Sequence, residues 1–171
     1  MENKSLIIAV IGGNYPTHEA SLEAEEVGRL LAASGAIVVC GGLEGIMEAV
    51  CKGAKEVGGT TVGILPGNNT SNANQYVDIP ICTGLGYARN ALVAKSGQAV
   101  IAIDGSYGTM SEIGHALAED IPVIGLNTFT FKINGIEDEK IIRAHDPSDA
   151  VKKAIDAARD EGISSKKRAN N

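Results

Sequence analysis

Residues 104–112 read DGSYGTMSE, where Gly105, Ser106, Gly108 and Thr109 bring two glycines and two hydroxyls together just before an amphipathic run. A glycine-rich turn entering a helix lets backbone amides approach an anion, and the helix dipole adds partial positive charge, so phosphate is the natural guest. Further glycine turns follow other apolar runs: Gly12-Gly13, Gly41-Gly42, and Gly63 with Pro66-Gly67. These can be simple turns or a ligand cradle, and their recurrence after successive apolar runs favours the cradle. No Gly-Lys-Ser/Thr occurs and no G-x-G-x-x-G follows the first run, which disfavours an ATPase and an ordinary dehydrogenase.

Two charged residues belong with these turns. Thr109-Met110-Ser111-Glu112 has the form of a capping box, with Thr109 at the N-cap and Glu112 at N3. Glu112 is equally a carboxylate at the edge of a phosphate crevice, able to bind sugar hydroxyls or stabilise a developing cation. Arg89, after TGLGYA at the head of a helical run, is either a phosphate anchor or a surface arginine. His115, one turn beyond Glu112, is a catalytic candidate or a packed or partly exposed histidine. His18 and His145 have no partner spacing, and nothing points to a metal site.

The elements that must position these residues are written in the hydrophobic pattern. Near-continuous apolar runs begin at Leu6, Ala36, Thr60, Ala99, Ile121 and Lys140, the signature of strands buried on both faces. Helical spacing fills the gaps: EASLEAEEVGRLLAASG, GIMEAVCKGAKEVGG, GYARNALVAKSG, GTMSEIGHALAED and PSDAVKKAIDAARDEG. The alternation predicts a doubly wound α/β fold with a mostly parallel sheet of about six or seven strands and helices on both faces. With the order 3-2-1-4-5-6, the loops GGNYPTH and DGSYGTMSE flank one crevice at the carboxyl ends of the strands. The polar stretch 66–84 breaks the rhythm and reads as a long functional loop.

The chain has 171 residues, a formal charge of −6 and 44% hydrophobic positions, which suits one domain, taken as 1–163 with a polar tail over 164–171. Such an acidic balance argues against nucleic acid and anionic membrane as partners. Lys166, Lys167 and Arg168 are read as a solvated tail rather than a targeting signal. Three cysteines, Cys40, Cys51 and Cys82, lack close metal or redox spacing and read as reduced, mostly buried thiols. No apolar run is long enough to span a bilayer, and a cytoplasmic protein is expected.

In order along the chain, GGLEGIMEAV, ILPG, TGLGYARN and DGSYGTMSEIGHAL resemble the Lonely Guy, or lysine decarboxylase-like, superfamily, with closer similarity to its branch that includes the molybdenum cofactor carrier protein. The resemblance implies a Rossmann-like homodimer or higher oligomer with a nucleotide-like or pterin-like phosphorylated ligand over the glycine loops. It implies no required cofactor beyond such a ligand, of nucleotide or molybdopterin type. In the hydrolase branch, the motif PGGxGTxxE and an upstream arginine cleave a cytokinin riboside 5′-monophosphate. By that resemblance Glu112 and Arg89 become candidate catalytic residues. Gly12, Gly13, Gly41, Gly42, Gly105, Ser106, Gly108 and Thr109 become the ligand cradle. Asp104 stands where the motif has proline and Ser106 where it has its second glycine. These departures favour a binding or carrier protein, with a nucleoside 5′-monophosphate phosphoribohydrolase as the alternative.

Overall fold

The apolar runs form the strands of one sheet, and the helical patterns form the helices between them. The computed structural model describes residues 5–169, and side chains up to residue 160. In chain order the elements are β1 (Ile7–Gly12), α1 (His18–Ala33), β2 (Ile37–Cys40), α2 (Ile46–Glu56), β3 (Thr61–Leu65), β4 (Ile79–Cys82), α3 (Asn90–Ser96), β5 (Ala99–Ile103), α4 (Tyr107–Ala118), β6 (Val123–Leu126), β7 (Lys132–Ile133), β8 (Ile136–Glu137), β9 (Ile141–Ala144) and α5 (Pro147–Ala169). Short 3-10 turns occupy Thr70–Asn72 and Gly86–Arg89.

Seven strands pair in the order β4-β3-β2-β1-β5-β6-β9, every pair parallel. This is the expected 3-2-1-4-5-6 order with one more strand at the edge. That strand, β4, lies within the stretch read as irregular loop. It carries Pro80, and Ile79 and Ile81 are about half exposed, as befits an edge strand that hydrogen-bonds on one side only. β7 and β8 make a separate antiparallel hairpin.

Alternation along β1 divides the core. Ile8 and Val10 join α1, α2 and α5 on one face, while Ala9 and Ile11 join α3 and α4 on the other. Both faces are covered, so the strands need no polar side. Helix boundaries follow local chemistry: the Thr17 hydroxyl accepts the Ala20 amide at 3.1 Å to open α1, and Pro147 occupies the first turn of α5. α5 is traced to Ala169, through most of the segment expected as a tail. Residues 170 and 171, and the side chains of Lys166, Lys167 and Arg168, lie outside the described residues.

Successive connections run outward from β1 through β2 and β3 in one direction, and from β5 through β6 in the other. The winding therefore reverses between β1 and β5, where the loops at the carboxyl ends of both strands diverge and leave a crevice. Among the described residues, no helix is long and apolar enough to cross a membrane.

Candidate functional site

The crevice is a cleft of about 910 Å³. Gly12 and Gly13 border it from the end of β1, Gly41 from β2, Arg89 from the turn before α3, and Gly105, Ser106, Gly108, Thr109 and Glu112 from the start of α4. Nine of the ten expected site residues thus meet in one place. Gly42 does not. It has φ +74 and turns toward β3, where an added Cβ would lie 2.9 Å from the Gly63 Cα. It shapes the turn, and its carbonyl accepts the Asn74 amide at 2.9 Å.

Close approach of the two amino-terminal glycine loops explains Gly45. Its φ is +71, and an added Cβ would sit 2.4 Å from the Gly13 carbonyl oxygen, so both conformation and space require glycine. The Ile46 amide donates to that same Gly13 carbonyl at 3.1 Å, joining the start of α2 to the loop after β1. The polar stretch after β3 works chiefly as a latch on this turn. Asn74 Nδ2 donates to the Leu43 carbonyl at 2.8 Å, and of residues 66–84 only Pro66 borders the cleft.

Helix α4 begins earlier than the sequence pattern suggests. Ser106, extended at φ −137 and ψ −170, is its N-cap, and Thr109 stands at N3 with its hydroxyl accepting the Ser106 amide at 3.3 Å. Thr109 therefore closes the capping box, and of the two readings of Glu112 the capping one does not hold. A serine in extended conformation one turn upstream starts the helix before the Thr-x-x-Glu register can be used. Met110 donates the first backbone bond of the helix, to Ser106 at 2.9 Å, so the amides of Tyr107, Gly108 and Thr109 have no intrahelical carbonyl. Tyr107, Gly108 and Thr109 all border the cleft, so the amino end of α4 and its dipole lie at the cleft wall.

Glu112, freed from capping, lies in the second turn of α4 and is 6% exposed. Its Oε1 is 3.8 Å from Arg89 Nη1, an ion-pair distance beyond hydrogen-bond reach. Burial pushes its carboxyl up to about 8, against the attraction of Arg89. Arg89 is 7% exposed, which removes the surface-arginine alternative. Burial lowers its pKa and the Glu112 charge opposes that shift; a guanidinium nonetheless stays protonated at neutral pH. Nη1 donates to Asn90 Oδ1 and Nη2 to the Gly41 carbonyl at 3.2 Å, while Nε is buried without an acceptor. Asn90 in turn donates to Ser111 Oγ at 3.1 Å, tying the arginine to the first turn of α4. The absence of a side chain at Gly41 makes room for this arrangement, since a Cβ there would stand 2.6 Å from Arg89 Nη2.

Asp104 borders the cleft with φ +51, left-handed for a residue that is not glycine. Its carbonyl accepts the Thr128 hydroxyl at 2.6 Å and its amide donates to Leu126 at 3.3 Å, which hold the turn in place. Proline cannot adopt that φ, so this loop follows a path closed to a PGG-type sequence.

His18, His115 and His145 are exposed and away from the cleft. Among the described residues, no group of three His, Cys, Asp or Glu side chains is placed to hold a metal ion. Cys82 is exposed. Cys40 and Cys51 are buried with their sulfurs 3.5 Å apart, a pairing across eleven residues that spacing rules do not reveal. The hydrogen bond shared with the Cys51 thiol and the one from the Gly42 amide pull the Cys40 thiol below its ordinary value, against its burial. Sequence reasoning also overlooked Asn90 and three tyrosines, Tyr15, Tyr87 and Tyr107, that border the cleft.

Comparison with known proteins agrees with this fold. The molybdenum cofactor carrier protein of Chlamydomonas reinhardtii superposes with a TM-score of 0.81 at 32% identity, over 92% of this chain and 99% of that one. The molybdenum cofactor binding protein of Rippkaea orientalis gives a TM-score of 0.79 at 34% identity, over 88% and 96%. A cytokinin riboside 5′-monophosphate phosphoribohydrolase of Mycobacterium tuberculosis is 32% identical over 127 residues, 68% of each chain. The model of the SLOG cluster4 family matches residues 5–155, and the chain belongs to that family, within the Lonely Guy-like superfamily its motifs resemble.

Proposed function

We propose that this protein binds a phosphorylated nucleotide-like or pterin-like small molecule, in the manner of a carrier. The observation that carries this reading is Arg89, a buried cation at the cleft wall with one donor lacking an acceptor and the Glu112 carboxyl, itself kept largely protonated at neutral pH by burial, no nearer than 3.8 Å. A buried guanidinium so incompletely served favours an incoming anion. Gly13, Gly105 and Gly108 carry no side chains that would keep a phosphate from the backbone, and the amino end of α4 adds its dipole. The cleft volume falls at the upper end of small-molecule sites, roughly 300–1,000 Å³. A molybdenum cofactor, as cargo, has the required phosphate and pterin, and Arg89 with the start of α4 would hold its phosphate.

One observation favours the phosphoribohydrolase alternative. Glu112, with its carboxyl pushed up to about 8, is tuned near neutral pH, as general acids and bases are. Against it stands the turn at Asp104, which differs from the hydrolase motif in sequence and takes a φ of +51 closed to proline.

Thermal-shift measurements with nucleoside monophosphates, dinucleotides and molybdopterin compounds, run beside an assay for free base, separate the two. A ligand at 100 times its Kd adds about 2.7 kcal/mol of apparent stability. The expected outcome is a shift without release of base from adenosine or cytokinin riboside 5′-monophosphate. Release that disappears in Glu112→Gln would establish the hydrolase instead, and no shift with any phosphorylated compound at millimolar concentration would refute ligand binding.

A further inference from the structure

The aromatic residues of this chain are divided in a way that core packing does not explain. There are four tyrosines, two phenylalanines and no tryptophan. Tyr76 packs against one core layer, and Phe129 and Phe131 against the other. The remaining three, Tyr15, Tyr87 and Tyr107, are 92%, 87% and 89% exposed, and all three border the same cleft. A tyrosine ring ordinarily buries most of its large apolar surface, so three nearly bare rings around one opening need a partner.

Their positions along the chain tie them to the anion cradle. Tyr15 follows Gly13 by two residues, Tyr87 precedes Arg89 by two, and Tyr107 follows Ser106 directly. Each ring therefore comes from a different segment, the loop after β1, the 3-10 turn before α3 and the first residue of α4, and each segment also contributes to the phosphate or arginine end of the cleft. Leu43 and Met47 supply further apolar wall, and among the described residues the charged side chains on the lining are Arg89, Asp104 and Glu112. Among the described residues, no hydrogen bond engages a hydroxyl of the three tyrosines, so these remain free to meet ring nitrogens or exocyclic groups.

We propose that Tyr15, Tyr87 and Tyr107 form an aromatic rim that holds the flat heterocycle of the ligand. The site then selects heteroaromatic phosphates over sugar phosphates that carry no ring system. The proposal rests on the binding function given above, because it assumes that the phosphate occupies the glycine loops. Stacking on aromatic faces tolerates different heterocycles, since every such ring offers a π surface, while the shared anion cradle fixes the other end.

Calorimetric titration tests this with three kinds of probe. Adenosine 5′-monophosphate and neopterin 3′-monophosphate carry both parts, ribose 5-phosphate carries phosphate alone, and adenosine and neopterin carry a heterocycle alone. Wild-type protein is expected to bind at least one heteroaromatic phosphate tenfold or more tightly than ribose 5-phosphate. Tyr15→Ala, Tyr87→Ala and Tyr107→Ala should weaken that probe by about 5- to 100-fold in total, the range of aromatic–base stacking. Each should leave ribose 5-phosphate affinity and thermal stability unchanged, and Tyr→Phe should retain stacking. Equal affinity for ribose 5-phosphate and every heteroaromatic phosphate would overturn the rim while leaving phosphate binding intact. Tyrosine-dependent binding of adenosine or neopterin, with no contribution from phosphate, would keep the rim and refute the parent reading. Variants that lower the mass in solution without changing any probe affinity would assign the rings to a contact between copies and overturn the proposal, as would failure of every probe to bind.

Discussion

Glu112→Gln isolates the buried carboxyl, because glutamine mimics the protonated acid in shape and charge. In the folded protein burial holds this carboxyl up to about 8, against an ordinary value of 4.5. The unfolded chain releases the proton near pH 4.5 and the native chain keeps it to about pH 8, so the native state binds more protons throughout that interval. Stability from this group is therefore fully present below pH 4.5 and declines as pH rises to about 8. At about 1.4 kcal/mol per pH unit, the interval sets a ceiling of about 5 kcal/mol, of which about 3.5 kcal/mol is lost between pH 5 and pH 8. Glutamine does not titrate, and every other group titrates alike in both proteins. Urea denaturation followed by circular dichroism at pH 5, 6, 7 and 8 should show the variant gaining on the wild type by about 1 to 3.5 kcal/mol across the series. An anionic ligand should also bind wild type less well above about pH 8, where Glu112 ionises, and bind the variant with a flatter profile. Parallel stability profiles for the two proteins would refute the assignment of Glu112 as a buried, raised carboxyl.

Gly41→Ala places a methyl against the flexible ends of Arg89 and Met47, each 2.6 Å away, so the side chains can yield. The expected result is a stability loss of about 1–3 kcal/mol in urea, with a tenfold or greater loss of phosphate-ligand affinity by calorimetry. At Asp104, φ +51 predicts opposite signs for two substitutions: Asp104→Gly should stabilise by about 1 kcal/mol, and Asp104→Pro should destabilise by about 3 kcal/mol or more, read from thermal midpoints. Half-exposed Leu92 on α3 and Met110 on the adjoining α4 motivate the expectation of a homodimer, which light scattering at micromolar concentration checks by mass.

Much of the architecture was legible because its cause is local. Strands buried on both faces cannot hide a polar side, so runs such as that from Ala99 are continuous and apolar, and the winding order follows from alternation with helices. Glycines in the loops after the strands were equally readable, since Gly45 answers to backbone contacts and a positive φ that admit nothing larger, and Gly41 to the close approach of Arg89 and Met47. β4 was hidden because an edge strand tolerates Pro80 and half-exposed isoleucines, which weaken the strand pattern. The start of α4 was misread by one turn because Ser106-x-x-Thr109 and Thr109-x-x-Glu112 overlap and both have the form of a cap. That register decided the chemistry, for a capping Glu112 would be occupied, whereas the buried one faces Arg89. The Cys40–Cys51 contact and the convergence of three tyrosines depend on loops and elements meeting in space, which residue spacing does not encode.

The most direct test of the central claim, that phosphorylated small molecules bind over the glycine loops between β1 and β5, is a two-dimensional amide NMR titration of the isotopically labelled protein. Adenosine 5′-monophosphate and neopterin 3′-monophosphate serve as probes. With the probe that binds, the largest saturable shifts are predicted at the amides of Gly13, Gly41, Gly105, Ser106 and Gly108, with the Arg89 Nε–H resonance moving as its guanidinium meets phosphate. Arg89→Met should reduce these shifts at equal ligand concentration. No saturable shift with either probe, or shifts confined to a different surface such as that around Glu44 and Glu48, would contradict the account.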